Sequence, residues 1–146
     1  MKSLKILSLA VVMLLALVGC EPKNNNDGKF IVGEWKLVEW NNAAPEFNVY
    51  IEFYGDKTFE MYQQVWSFDY EYFDGQYNLT GDVLTGLYSN GTAWACGYRV
   101  SVVNGQLIMY SQEDQSVTSV YEKCTIPEEI KAEATATRSL EVVPFL

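Results

Sequence analysis

The chain has 146 residues, a formal net charge of −9 and no histidine. An acidic surface of this kind repels phosphate backbones, which excludes nucleic acid as a partner. Without histidine the commonest general base and the commonest transition-metal ligand are gone, and the three cysteines form no C-x-x-C pair. Carboxylates alone can run glycoside chemistry, but no pair of Asp and Glu residues stands apart. The expectation is therefore no enzyme, no cofactor and no metal.

The first element in chain order is a leader. Lys2 and Lys5 precede an apolar run, Ile6 to Val18, that stops at Leu17-Val18-Gly19-Cys20. A bilayer-spanning helix needs about 20 apolar residues, and this run is shorter. Basic residues ahead of a short apolar run describe a signal peptide. A branched apolar residue, small or medium residues and then Cys form a lipobox, so the expected cut lies after residue 19, with Cys20 carrying the lipid. Several acyl chains give a stable anchor where one does not. The expected location is the bacterial outer membrane, Glu21 rather than Asp following the cysteine. Loss of residues 1–19 removes two lysines and no acid, which makes the mature chain more acidic still. Residues 20–32 read as the lipidated N-terminus and a polar tether. Asn24 to Gly28 faintly resembles a calcium loop, but the twelfth position holds Trp35 where a bidentate Glu belongs.

From Gly33 onward the hydrophobic period is two. Runs rich in Val, Tyr, Phe, Trp and Thr alternate with turn residues, the pattern of an all-β sandwich or barrel. Eight strands are expected, at about 33–40, 48–54, 57–66, 70–78, 83–89, 93–103, 106–111 and 116–123. Gly55-Asp56, Gly81-Asp82, Asn90-Gly91 and Asn104-Gly105 are hairpin signals, because Gly and Asn tolerate positive φ. Short hairpins in series make a meander, and closure removes its two exposed edges. The predicted fold is an all-β, eight-stranded antiparallel up-and-down barrel over 33–125, followed over 126–146 by a short helix and an apolar tail.

Alternation places Val49, Ile51 and Phe53 inside, continued by Phe59 and Met61. A two-residue turn at Asn104-Gly105 faces Val102 with Leu107 and Val100 with Met109, and the same face extends back to Tyr98, Cys96 and Trp94. A three-residue loop at Asn90 to Thr92 sets Trp94 against Tyr88 and Leu84 against Tyr98. With the last hairpin loop at Gln112 to Gln115, Cys124 stands level with Val103. Cys96 is then about 23 Å away at ~3.3 Å per residue, too far for a disulfide. Two free thiols are expected, Cys96 in the core. Pro127, Glu128 and Glu129 open the predicted helix, 127–138. The tail beyond it is apolar: Leu140, Val142, Val143, Phe145 and Leu146. It either covers a patch on the barrel wall or lids the barrel mouth.

Gly33-Glu34-Trp35, Phe53…Gly55-Asp56-Lys57-Thr58-Phe59, Gly75-Gln76-Tyr77-Asn78-Leu79, Leu84-Thr85-Gly86, Trp94 and Tyr98 occur in this order. The set, behind a lipobox, resembles the lipocalin-like domain of small bacterial lipoproteins. The resemblance implies that Gly33 and Trp35 form the barrel floor. Lipocalins lay an Arg from near the last strand over that Trp; here the nearest candidate is Lys123, which stacks less well.

An eight-stranded barrel is either just filled by side chains or holds one small ligand. The aromatic run Trp66, Phe68, Tyr70 and Tyr72 falls on one face at period two and, with Trp94 and Tyr98, makes the candidate ligand-binding set. Two functions follow from it. One is a membrane-anchored binding module for a small apolar or amphipathic molecule. The other is a structural or interaction lipoprotein with a filled barrel that meets a glycan or envelope partner through its aromatic surface.

Overall fold

The computed structural model describes residues 28–136 and 142–146. The leader, Cys20 and most of the tether lie outside the described residues. The strands are β1 (Gly33–Trp40), β2 (Asn48–Phe53), β3 (Thr58–Gln64), β4 (Glu71–Thr80), β5 (Val83–Tyr88), β6 (Tyr98–Val103), β7 (Gln106–Ser111) and β8 (Thr118–Lys123). Each pairs antiparallel with the next, and β8 returns to β1 to close an eight-stranded up-and-down barrel. One short helix, α1 (Glu128–Ala136), follows.

Alternation along the strands fills the interior. Ile51 stands opposite Met61 and Phe53 opposite Phe59, and all four are buried with Val49 in the main core. The β6–β7 hairpin turns at Asn104 and Gly105, with φ 51° and 77°. Positive φ at both central residues matches the twist of the flanking strands. Val102 meets Leu107 and Val100 meets Met109 as the two-residue turn requires. Val102 itself, near the barrel's end, is exposed.

The outer wall carries a second core. Tyr50, Tyr62 and Tyr70 pack against Ile126, Ile130 and Ala134. The Pro127 carbonyl accepts from the amides of Ile130 and Lys131, which starts the helix. Lys131 then holds Glu34 and Glu52, at 3.0 and 3.2 Å, pinning α1 across β1 and β2. Nearby, Glu60 accepts hydrogen bonds from the hydroxyls of Tyr54, Tyr62 and Tyr72, at 2.8–2.9 Å.

Three details depart from the pattern read in the sequence. First, β6 starts at Tyr98 rather than near 93. Leu84 does face Tyr98, but Leu87 bridges Ala93, so the register shifts and the extra residues bulge at Ala95 to Gly97. Trp94 consequently opposes Gly86, whose carbonyl accepts its amide at 3.0 Å, and not Tyr88. The indole lies on Gly86 so closely that a Cβ there would collide with the ring. Second, Ser111 N bonds Val117 O, so the last hairpin loop runs through Ser116 rather than ending at Gln115. Third, Cys96 lies on the bulge, half-buried beside Ser111 Oγ at 3.3 Å, instead of deep in the core. Cys96 and Cys124 are both free thiols.

Candidate functional site

The two ends of the barrel are built differently. At one end sit the hairpin turns β2–β3, β4–β5 and β6–β7. Trp35 is fully buried there and donates its indole N–H to Ile31 O at 2.7 Å. The Lys123 ammonium lies 4.3 Å from the Trp35 ring centroid and donates to Val32 O at 2.7 Å. Lysine thus supplies the cation over the first-strand indole. Gly33 has φ 127°, a backbone conformation that favours glycine, and a Cβ there would push the Lys123 ammonium from its place over Trp35.

At the other end, the mouth, the loops are longer: 41–47, 65–70, 89–97 and 112–117. Residues 142–146 enter here. Leu146 is 2% exposed and belongs to the main core. Its main-chain oxygen accepts from the Tyr88 hydroxyl at 2.7 Å. Gln63, 0% exposed, makes two bonds to the segment: its Nε2 donates to Val143 O at 3.0 Å, and its Oε1 accepts from Phe145 N at 2.7 Å. Glu71 Oε2 accepts from the same Nε2 at 3.1 Å and so orients the amide. Trp66 Nε1 donates to Val143 O at 3.1 Å. Of the two alternatives for the tail, its described end occupies the mouth; the outer wall is covered by α1 instead.

Beside this segment lies an apolar hollow of about 470 Å³, lined by Trp40, Phe47, Val65, Trp66, Tyr98 and Phe145, among others. Trp40 and Phe47 meet edge-to-face at 5.3 Å, and Phe145 lies 5.6 Å from Phe47 and 6.2 Å from Trp40. Loop 65–70 supplies one wall. It is held by Gln64 Nε2, which donates to Phe68 O, and by Ser67 Oγ, which donates to Asp69 O.

The aromatic run is therefore not one face. Residues 65–70 form a bent loop and β4 begins only at Glu71. Trp66 (70% exposed) rims the hollow and Phe68 (97% exposed) points to solvent. Tyr70 and Tyr72 lie on the outer wall with the second core. Period two fails because a turn interrupts the strand between Trp66 and Tyr70. Trp94 and Tyr98 are inside, their rings 6.1 Å apart, with Trp94 also edge-on to Phe59 at 5.1 Å. The structure thus brings Trp66 and Tyr98 together at the hollow, keeps Trp94 beside Tyr98 inside the barrel, and sends Tyr70 and Tyr72 to the outer wall and Phe68 to solvent. Trp40, Phe47, Gln63, Tyr88 and Phe145 complete the mouth. A hint for Trp40 was its place at the end of the first strand; Phe47 sits in an aperiodic loop and gave none.

Burial pushes the hydroxyls of Tyr88, Tyr98 and Tyr121 above the ordinary tyrosine range. On the outer wall burial, then the nearby Tyr50, pushes Tyr70 up to about 12. These groups stay neutral and serve as hydrogen-bonding hydroxyls. Trp94 Nε1 and Tyr121 Oη are buried without a partner. Among the described residues no cluster of three metal-ligating side chains occurs.

No protein-family model and no curated protein matches the chain. Solved structures do. A lipocalin-like protein from Bacteroides uniformis aligns with TM-score 0.52 at 14% identity, over 65% of this chain and 99% of its own. An uncharacterised protein from Bacteroides eggerthii aligns with TM-score 0.50 at 17% identity, over 64% of this chain and 99% of its own. The fold is thus lipocalin-like, and at these identities the likeness concerns the fold.

Proposed function

We propose that the protein is a non-enzymatic binding module for a small apolar or amphipathic molecule, with its site at the barrel mouth. The observation that carries this reading is the apolar hollow of about 470 Å³ rimmed by Trp40, Phe47, Trp66, Tyr98 and Phe145. Its size falls in the range of small-molecule pockets, and its lining is aromatic with few polar groups, the usual make-up of such sites. The lipocalin-like fold agrees with a binding role and adds no ligand identity.

The module is held at the bacterial outer membrane by lipid on Cys20. Support comes from Lys2, Lys5, the apolar run to Val18 and the cysteine at its end. Among the described residues no helix is long and apolar enough to cross a membrane. Growth on labelled palmitate should label the chain, and Cys20→Ser should abolish the label; a labelled serine variant would refute the anchor. The glycan-platform reading is weaker, since Tyr70 and Tyr72 pack on the outer wall and, of that run, Trp66 and Phe68 alone are exposed.

Binding is tested with anilinonaphthalene sulfonate and a long-chain fatty acid. The dye should brighten on the protein and be displaced by the acid. Phe47→Ala together with Trp66→Ala should weaken the dye tenfold or more. Dye affinity indifferent to that pair, in a folded variant, would remove the site from the mouth.

A further inference from the structure

The segment at the mouth is held in an unusual way. Residues 142–146 are Val, Val, Pro, Phe and Leu, with no polar side chain among them. Barrel side chains hold them through their backbone. Gln63 pairs with both the carbonyl of Val143 and the amide of Phe145, two residues apart. Alternate residues of an extended chain present such a pair on one side, so the Gln63 amide reads the segment as a neighbouring strand would. Trp66 doubles the bond to Val143 O, and Tyr88 fixes the main-chain oxygen of Leu146 at the inner end. The side chains go into apolar space: Leu146 into the main core, Phe145 against Trp40 and Phe47.

We propose that the barrel mouth is a binding site for an extended apolar peptide, and that residues 142–146 are its resident occupant. This rests on the mouth being the site proposed above and names the class of ligand it takes. The polar groups decide between a peptide and a hydrocarbon. An acyl chain could fill the volume of Leu146 and Phe145, but Gln63 Nε2 would keep only Glu71 while Gln63 Oε1 and the Tyr88 hydroxyl lost the bonds the segment gives them, so a fatty acid is confined to the hollow beside the seated segment. Unpaired buried polar groups are what let a site reject a ligand that lacks the matching atoms. Glu71, itself buried, holds the Gln63 amide in the reading orientation. An incoming peptide with an aromatic residue followed by an aliphatic one displaces the resident segment bond for bond. The resident therefore sets the affinity threshold for any competitor.

The probe is a fluorescein-labelled peptide with the sequence of residues 142–146, followed by polarisation on the full chain. Phe145→Ala with Leu146→Ala, which weakens the resident segment, should tighten binding tenfold or more over the unsubstituted chain. In that background Gln63→Ala should weaken the peptide at least tenfold and Tyr88→Phe by a smaller factor. A second probe needs no further protein variant: the same peptide N-methylated at its Phe amide cannot donate to Gln63 Oε1 and should bind at least tenfold more weakly. Equal affinity of the methylated and plain peptides would overturn the inference, as would affinity indifferent to the resident double substitution. Anilinonaphthalene sulfonate is measured in parallel. Dye binding without peptide binding overturns the peptide site and leaves the mouth-binding reading standing; failure of both overturns both.

Discussion

The closed end and the mouth of this barrel are sealed by different means. At the closed end short hairpins bring the chain back at once, and Trp35 seals the interior with both its N–H and its face satisfied, by Ile31 and Lys123. At the mouth longer loops join the strands, and the seal is a segment from far along the chain, tied by Gln63, Trp66 and Tyr88. The closed end is integral to the fold, whereas the mouth is occupied by a piece that can leave without breaking a strand pair. Local opening with a free energy below the global one is expected at the mouth and not at the floor.

The comparison breaks first at Trp35. Trp35→Ala empties a fully buried site and orphans the Ile31 carbonyl, and it should cost about 3–5 kcal/mol. Urea unfolding should register that loss in full; a loss under about 1 kcal/mol would mean the floor is no more integral than the mouth. Next comes Gly86→Ala, between the two ends. The added methyl meets the Trp94 ring, and overpacking of this kind should cost about 1–3 kcal/mol. Trp94→Leu in the same chain should recover part of it, because the two sites touch and are not additive.

Leu146→Ala is the matching change at the mouth. In a core, Leu→Ala costs about 2–5 kcal/mol. Here the loss is capped by the free energy that holds the segment down, and the expected cost is under about 2 kcal/mol. Hydrogen exchange at the Phe145 amide, bonded to Gln63 Oε1, should accelerate in this variant while the Trp35 amide stays protected. Equal acceleration at both ends would show that the two open as one unit.

What the sequence made legible follows this same division. Strand alternation is a local signal, so it places Val49, Ile51, Phe53, Phe59 and Met61 inside by itself, and the turn at Asn104 and Gly105 carries its own φ requirement. The closed end is made of such signals. The mouth is not. Trp66 to Tyr72 has the period of a strand, yet the chain turns there, because loop 65–70 is tied to Gln64 and the helix claims Tyr70 from outside. Trp94 escaped its expected partner because Gly86 offers the space that Tyr88 does not. Gln63 looked like an ordinary strand residue; only the arrival of residues 143 and 145, far along the chain, gives its amide a purpose.

The smallest expected effect separates the ends by pH. Each end has an exposed Asp turn. At the closed end the Asp56 carboxylate accepts from Thr58 Oγ1 and N, and at the mouth Asp114 accepts from Ser116 Oγ and N. Bonds from Thr58 hold the Asp56 carboxyl below the usual value of 3.8, and bonds from Ser116 do the same for Asp114. A group with a lowered folded pKa binds fewer protons when folded. Its contribution is therefore present above 3.8 and lost as pH falls through the folded value. Asp56→Asn and Asp114→Asn should each flatten the acid side of the stability curve slightly. Only the second lies near the hollow: Asp114 N donates to Ser111 Oγ, and Val117 N, on the hollow's wall, donates to Asp114 O. Dye affinity should therefore fall with acid in the unsubstituted chain and in Asp56→Asn, and fall less in Asp114→Asn. Identical acid profiles for all three would remove Asp114 from the construction of the mouth and leave it a plain hairpin turn.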